Sequence, residues 1–201
     1  DVCASSDAQT LEAEIAMLGD TAAVNCAAAV AAVLAVMPRP VRREHLDAIA
    51  SALASARPLA GRLSTLEARG VLVIDDTYNA NPRSMRTALS AAREFADLSR
   101  SRLVIALGDM LELGALAPQA HRDSLAEAIK ANPDNLVVVG PEMAAALKEV
   151  PHDPGWIGVS NSEAAARVVS GLVRKGDVLL VKGSRGMRME RVIEMLTRSK
   201  H

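Results

Sequence analysis

Hydrophobic and polar positions change their rhythm near residue 62. Before it, residues 20–37 form a nearly unbroken alanine-rich apolar stretch ended by "PRP" at 38–40, which predicts a helix. Residues 42–56 place Leu46, Ile49, Ala50 and Leu53 on one helical face. Leu11, Ala13, Ile15 and Met17 alternate and predict a strand, although the residue types also suit a helix. "RPLAGR", 57–62, carries Pro and Gly and reads as a linker. After it, short apolar runs rich in β-branched residues appear at 71–74, 103–107, 136–139, 157–159 and 178–181. Helical patterns at 82–97, 118–131, 141–149, 161–174 and 187–197 separate them. Strands alternating with helices imply a Rossmann-like α/β domain over about 61–201, with a mostly parallel sheet covered by helices on both faces. Strand order cannot be read from the pattern.

Composition narrows the function. Half of the 201 residues are apolar, but the aromatics are only Tyr78, Phe95 and Trp156, so the core must be aliphatic. The formal charge is −1 with no long like-charge run, which argues against a nucleic-acid or membrane-surface role. The stretch 22–37 is short for a membrane span and reads as a buried helix. "DVCASSD" at the start has no basic segment leading into an apolar one, so no secretory signal is expected. Cys3 and Cys26 make neither a disulfide framework nor a metal motif, and a reducing cytoplasm suits them.

In open α/β sheets ligands bind beyond the carboxyl ends of the strands, so candidate chemistry lies just after each run. Asp75 and Asp76 follow the first run, with Tyr78, Asn79 and Asn81 beside them. Two adjacent acids at a buried strand end cost desolvation unless partnered, which makes a ligand or interdomain role the favoured reading. Asn81 before Pro82 also has a plain structural role, as the N-cap of a helix. "GDMLELG" brings Asp109, a weak signal alone. Lys182, Ser184 and Arg185 in "KGSRG" suit an anion at a turn that opens a helix, though a solvated basic helix start fits equally well. His121 reads as a packing or surface histidine and Cys26 as core. No G-x-x-x-x-G-K-[ST] loop, G-x-G-x-x-G after a strand or H-E-x-x-H occurs.

"DDTYNANPRSMRTAL" (75–89), "GDMLELG" (108–114) with His121, and "KGSRGMRMERVIE" (182–194), in this order, resemble the C-terminal domain of the Mur ligases. "GRL" at 61–63 resembles that family's junction between central and C-terminal domains. "GDTAAVN" resembles a late central-domain helix of the form G-x-H-N-x-x-N-A. There Gly19 and Asn25 match, while Thr21 and Ala22 stand where the family has His and Asn.

The resemblance implies an ATP-dependent amide ligase of peptidoglycan synthesis. It implies a chain that is a C-terminal fragment, with 1–60 the mainly helical end of a central ATP-binding domain and 61–201 the third domain. ATP would phosphorylate the carboxylate of UDP-N-acetylmuramoyl-tripeptide, and the amine of D-alanyl-D-alanine would attack. Asp76 would hold the ribose, Arg62 a phosphate, and Asn25 would lie near the adenine. Asp75, Tyr78, Asn79, Asn81 and Asp109 would line the cleft, with Lys182, Ser184 and Arg185 orienting dipeptide or phosphates. Mg2+ would be held mainly by residues outside this chain, which has no metal site of its own; a monomer, inactive alone, is expected. The alternatives are a stand-alone ligase-like binding module without turnover, or a Mur-type ligase for another amino component. Residues 20–56 are expected to leave an apolar face exposed.

Overall fold

The computed structural model describes residues 2–6, 9–150, 153 and 155–198. They divide into two compact units, ending and starting at Pro58 and Leu59.

In the first unit, β1 (Val2–Ser6) and β2 (Gln9–Ala13) form an antiparallel pair, followed by α1 (Asp20–Val36) and α2 (Arg43–Ser55). The alternation from Leu11 makes a strand, but it ends at Ala13, before Ile15. Leu11, Val30, Val41 and Leu46 form its small core, with Leu34, Ile49, Ala50 and Leu53 against it. Cys26 is buried. Because α1 is apolar nearly all round, burying one stripe leaves Val24, Val33 and Val36 exposed, the apolar face the sequence led us to expect.

The second unit is a six-stranded sheet in the order β3-β4-β8-β5-β6-β7. Its strands are β3 (Ser64–Ala68), β4 (Val71–Asp76), β5 (Leu103–Gly108), β6 (Asn135–Val139), β7 (Ile157–Val159) and β8 (Val178–Lys182). Its helices are α3 (Pro82–Ser99), α4 (Ala117–Lys130), α5 (Pro141–Glu149), α6 (Ser162–Leu172) and α7 (Glu190–Arg198). β3 alone runs antiparallel, at the edge beside β4. The remaining strands are parallel, and β8 inserts between β4 and β5.

The apolar runs are continuous because both sheet faces are covered. Val73, Val104, Ala106, Val137, Val139, Leu179 and Val181 pack with Ala165, Val169, Val192 and Leu196 of α6 and α7. The alternate residues Ile74, Ile105, Leu107, Val138 and Leu180 are also wholly buried, on the face of α3 and α5. Each such side chain contributes about 1.5–3 kcal/mol by leaving water. The register sets the last residues of the central strands side by side: Asp76 pairs with Lys182, which pairs with Leu107.

Candidate functional site

The carboxyl ends of β4, β8 and β5 gather most of the polar residues singled out above. Asp76 is nearly buried, and its Oδ2 accepts from Lys182 Nζ at 2.5 Å. Its Oδ1 accepts from the Leu63 amide at 3.1 Å. Lys182, only 1% exposed, also donates to the Asn79 carbonyl at 2.9 Å. Burial pushes the Lys182 pKa down, against the opposing attraction of Asp76. Asp75 accepts from the Thr77 amide (3.1 Å) and hydroxyl (2.7 Å) through Oδ1, and from the Gly61 amide (3.1 Å) through Oδ2. The acid pair is therefore partnered from within, as its burial demands.

Around this centre the loop side chains face water. Tyr78 is 46% exposed, and the Arg62 guanidinium lies 4.1 Å from its ring centroid. Asn79 is exposed and its Oδ1 accepts from the Ala80 amide. Asn81 caps α3: its Oδ1 accepts from the Ser84 amide at 2.9 Å, and Ser84 Oγ accepts from the Asn81 amide at 3.1 Å. Pro82 follows at the first helical position, as the sequence predicts.

The ends of β5 and β8 approach closely. A Cβ on Gly183 would lie 2.7 Å from Met189 Cγ and 3.2 Å from Gly108 Cα, so neither glycine leaves room for a side chain. Asp109 follows, but it does not open onto the surface. It is 2% exposed, and its carboxylate accepts from the Met143 amide (2.8 Å) and the Glu142 amide (3.2 Å) at the start of α5. Burial raises its pKa, and those two amides oppose the shift. The reading of Asp109 as a cleft residue thus gives way to an anion closing a helix N-terminus. Ser184 is turned inward as well: its amide donates to the Asp109 carbonyl (3.1 Å) and its Oγ accepts from the Leu111 amide (2.8 Å). The amide expected to meet an anion there is already bonded. Arg185 is exposed, and no bond joins its guanidinium to a described residue.

Sequence reasoning gave His121 no more than a packing role, and the structure shows what it does. It is fully buried; Nε2 accepts from the Met110 amide (2.9 Å), so the ring proton lies on Nδ1, 2.7 Å from the Ala117 carbonyl. It holds the loop after β5. Asn25 is an exposed residue of α1 in the first unit. Among the described residues no three His, Cys, Asp or Glu side chains cluster as a metal ion would require, and no helix is long and apolar enough to cross a membrane.

A family model described as "Mur ligase, glutamate ligase domain" matches residues 61–185. The chain belongs to the Mur ligase family. The UDP-N-acetylmuramoyl-tripeptide–D-alanyl-D-alanine ligase of Mycobacterium tuberculosis (strain ATCC 25618 / H37Rv) is 32% identical over 94% of this chain and 40% of its own length. A crystal structure of MurF from Acinetobacter baumannii superposes with a TM-score of 0.82 at 29% identity, over 98% of this chain and 42% of that one. MurF from Thermotoga maritima, solved in complex with ADP, gives 0.75 at 26% identity, over 94% and 40%. This Mur ligase chain thus spans about two-fifths of those proteins, matching their C-terminal portion.

Proposed function

We propose that this chain is part of an ATP-dependent amide ligase that joins D-alanyl-D-alanine to UDP-N-acetylmuramoyl-tripeptide in peptidoglycan synthesis, in the cytoplasm. The observation that carries this reading is the division of charge at the carboxyl edge. Asp75, Asp76, Asp109 and Lys182 bond inward, while the guanidiniums of Arg62 and Arg185 face solvent, as anionic ligands require. The relatives named for this reaction support the choice of substrates. In this reading 1–60 are the end of a central ATP-binding domain.

ATP supplies the phosphoryl group that activates the peptide carboxylate. Arg62 and Arg185 neutralise phosphate or dipeptide carboxylate charge, Asp76 keeps unused lone pairs for a ribose hydroxyl, and Asn25 lies near the adenine. Tyr78, Asn79 and Asn81 border the dipeptide. Such a site works by positioning and charge neutralisation. The described residues do not fit a magnesium site of their own, so no step here is assigned to the ion.

The test is an isotope-labelled chain titrated with ATP, with D-alanyl-D-alanine and with glutamate, followed by amide shifts. The expected result is a response to ATP and dipeptide at Arg62, Thr77–Ala80 and Ser184–Gly186, and none to glutamate. Silence to both ATP and dipeptide refutes the reading; a response to glutamate instead moves the chain to another amino component. A second reading, a binding module without turnover, is favoured by the absence of a G-x-x-x-x-G-K-[ST] loop from this sequence. The chain alone is then expected to release no ADP from ATP, and steady release would exclude that reading.

A further inference from the structure

The turn before β3 is fastened at both of its inner amides. Gly61 N–H donates to Asp75 Oδ2 and Leu63 N–H to Asp76 Oδ1, each at 3.1 Å. The Gly61 carbonyl in turn accepts from the Tyr78 amide at 3.0 Å. Successive strand residues point to opposite faces of a sheet, so adjacent acids can grip the turn from both sides, which one acid could not. The backbone there takes conformations that need such support: φ is +76° at Gly61 and +51° at Leu63. A Cβ on Gly61 would lie 3.0 Å from the Tyr78 nitrogen, so the turn sits directly on the β4 loop.

Between the two fastened amides stands Arg62, its guanidinium over Tyr78. The second oxygen of each acid is fixed from the other side. Asp75 Oδ1 is held by Thr77, and Asp76 Oδ2 by Lys182, which also holds the Asn79 carbonyl. Lys182 thus ties the turn, through Asp76, to the segment that carries Tyr78.

We propose that Lys182 and the Asp75–Asp76 pair are positioning residues that lock the 59–64 turn and so present the Arg62 guanidinium, stacked on Tyr78, to an anionic ligand. The ligand in this statement rests on the reading given above; the lock itself does not. Arg62 is then a pre-ordered cation, whose side-chain entropy is lost before a ligand arrives rather than on binding.

The test uses NMR on the 201-residue chain, in which Tyr78 is the sole tyrosine. Stacking on its ring shifts the Arg62 δ and ε protons upfield, a signature that a merely stabilising ion pair would not control. The first variant is Asp76→Ala with Lys182→Met, which leaves neither charge buried alone. Asp75→Ala is the second, should the first not fold. The expected result is loss of the Arg62 upfield shift in each. With it, amide exchange should rise about tenfold or more at Leu63 in the first and at Gly61 in the second, since each loses a bond to a carboxylate. Amides of β5 should keep their protection. Asp75→Asn, which retains an acceptor oxygen, should restore part of the shift. An Arg62 signal that stays upfield in the folded variants overturns the proposal. No nucleotide enters this readout: a lost shift upholds the lock even if the unaltered chain ignores ATP, an outcome that would remove only the phosphate reading.

Discussion

Replacing Gly140 by alanine is expected to damage this unit more than any exposed change at the same edge. Gly140 sits at φ +107° and ψ 166°, a region that side chains rarely enter. A Cβ there would lie 2.4–2.7 Å from all three atoms of the Asp109 carboxyl group. That carboxylate cannot swing aside cheaply. Its residue is pinned by its own amide on the Val139 carbonyl and by the Ser184 amide on its carbonyl, and its oxygens hold the Met143 and Glu142 amides. Backbone strain costs about 1–3 kcal/mol, and one lost charge-assisted hydrogen bond costs about 1.5–3 kcal/mol more. Together they predict a loss of about 3–5 kcal/mol. Urea unfolding followed by Trp156 fluorescence measures it, because the sole tryptophan lies in the second unit. A cycle with Asp109→Ala isolates the contact: without the carboxylate, Gly140→Ala should cost only the strain of about 1–3 kcal/mol. An equal cost in both backgrounds, or a loss below about 1 kcal/mol in the unaltered chain, would refute the reasoning.

Asn81→Ala removes both halves of the α3 capping box and should cost about 1 kcal/mol in the same titration, with Asn81→Gly closer to neutral. His121→Leu leaves the buried Met110 amide without its acceptor and should cost about 1–3 kcal/mol; unchanged stability would remove the loop-holding role. Asp109 predicts a sign with pH. Its folded pKa is raised by burial, so its contribution is fully present below about pH 4 and is lost as pH rises through the folded value. Asp109→Asn cannot ionise and should abolish that loss, and parallel stability–pH curves for the two proteins would contradict the assignment of the proton.

The parallel sheet was legible because Val104–Leu107, Leu136–Val139 and Val178–Val181 are buried on both faces and read as unbroken apolar runs. β3 was not legible. Its "STLEA" carries one large apolar residue, Leu66, and an edge strand owes its place to pairing with β4 rather than to burial. β4 runs to Asp76, two residues past its apolar run, because the acids continue the ladder with Val181 and Lys182. α7 starts at Glu190 instead of 187, since Arg185–Met187 forms a 3-10 turn and Arg188 takes φ +52°. The edge that gathers the site was visible in the strand ends. The partners were not: Lys182 lies 106 residues from Asp76, and His121 carries no local sign that it accepts from Met110.

The aspartate pair shows how stability and function can share residues without competing. A carboxylate offers about four acceptor positions, and Asp76 uses two, toward Leu63 and Lys182. A ligand hydroxyl at Asp76 would therefore join a group whose geometry is already set and whose charge is already balanced. That arrangement favours a neutral hydroxyl over a cation, which would compete with Lys182, and over an anion, which Asp76 would repel. Charge recognition falls to the arginines, because their guanidiniums are the cations of these motifs that remain in water. The fold alone assigns neither role. Both follow from the pleat that turns two neighbouring acids to opposite faces, and from the single buried lysine whose register sets it beside one of them.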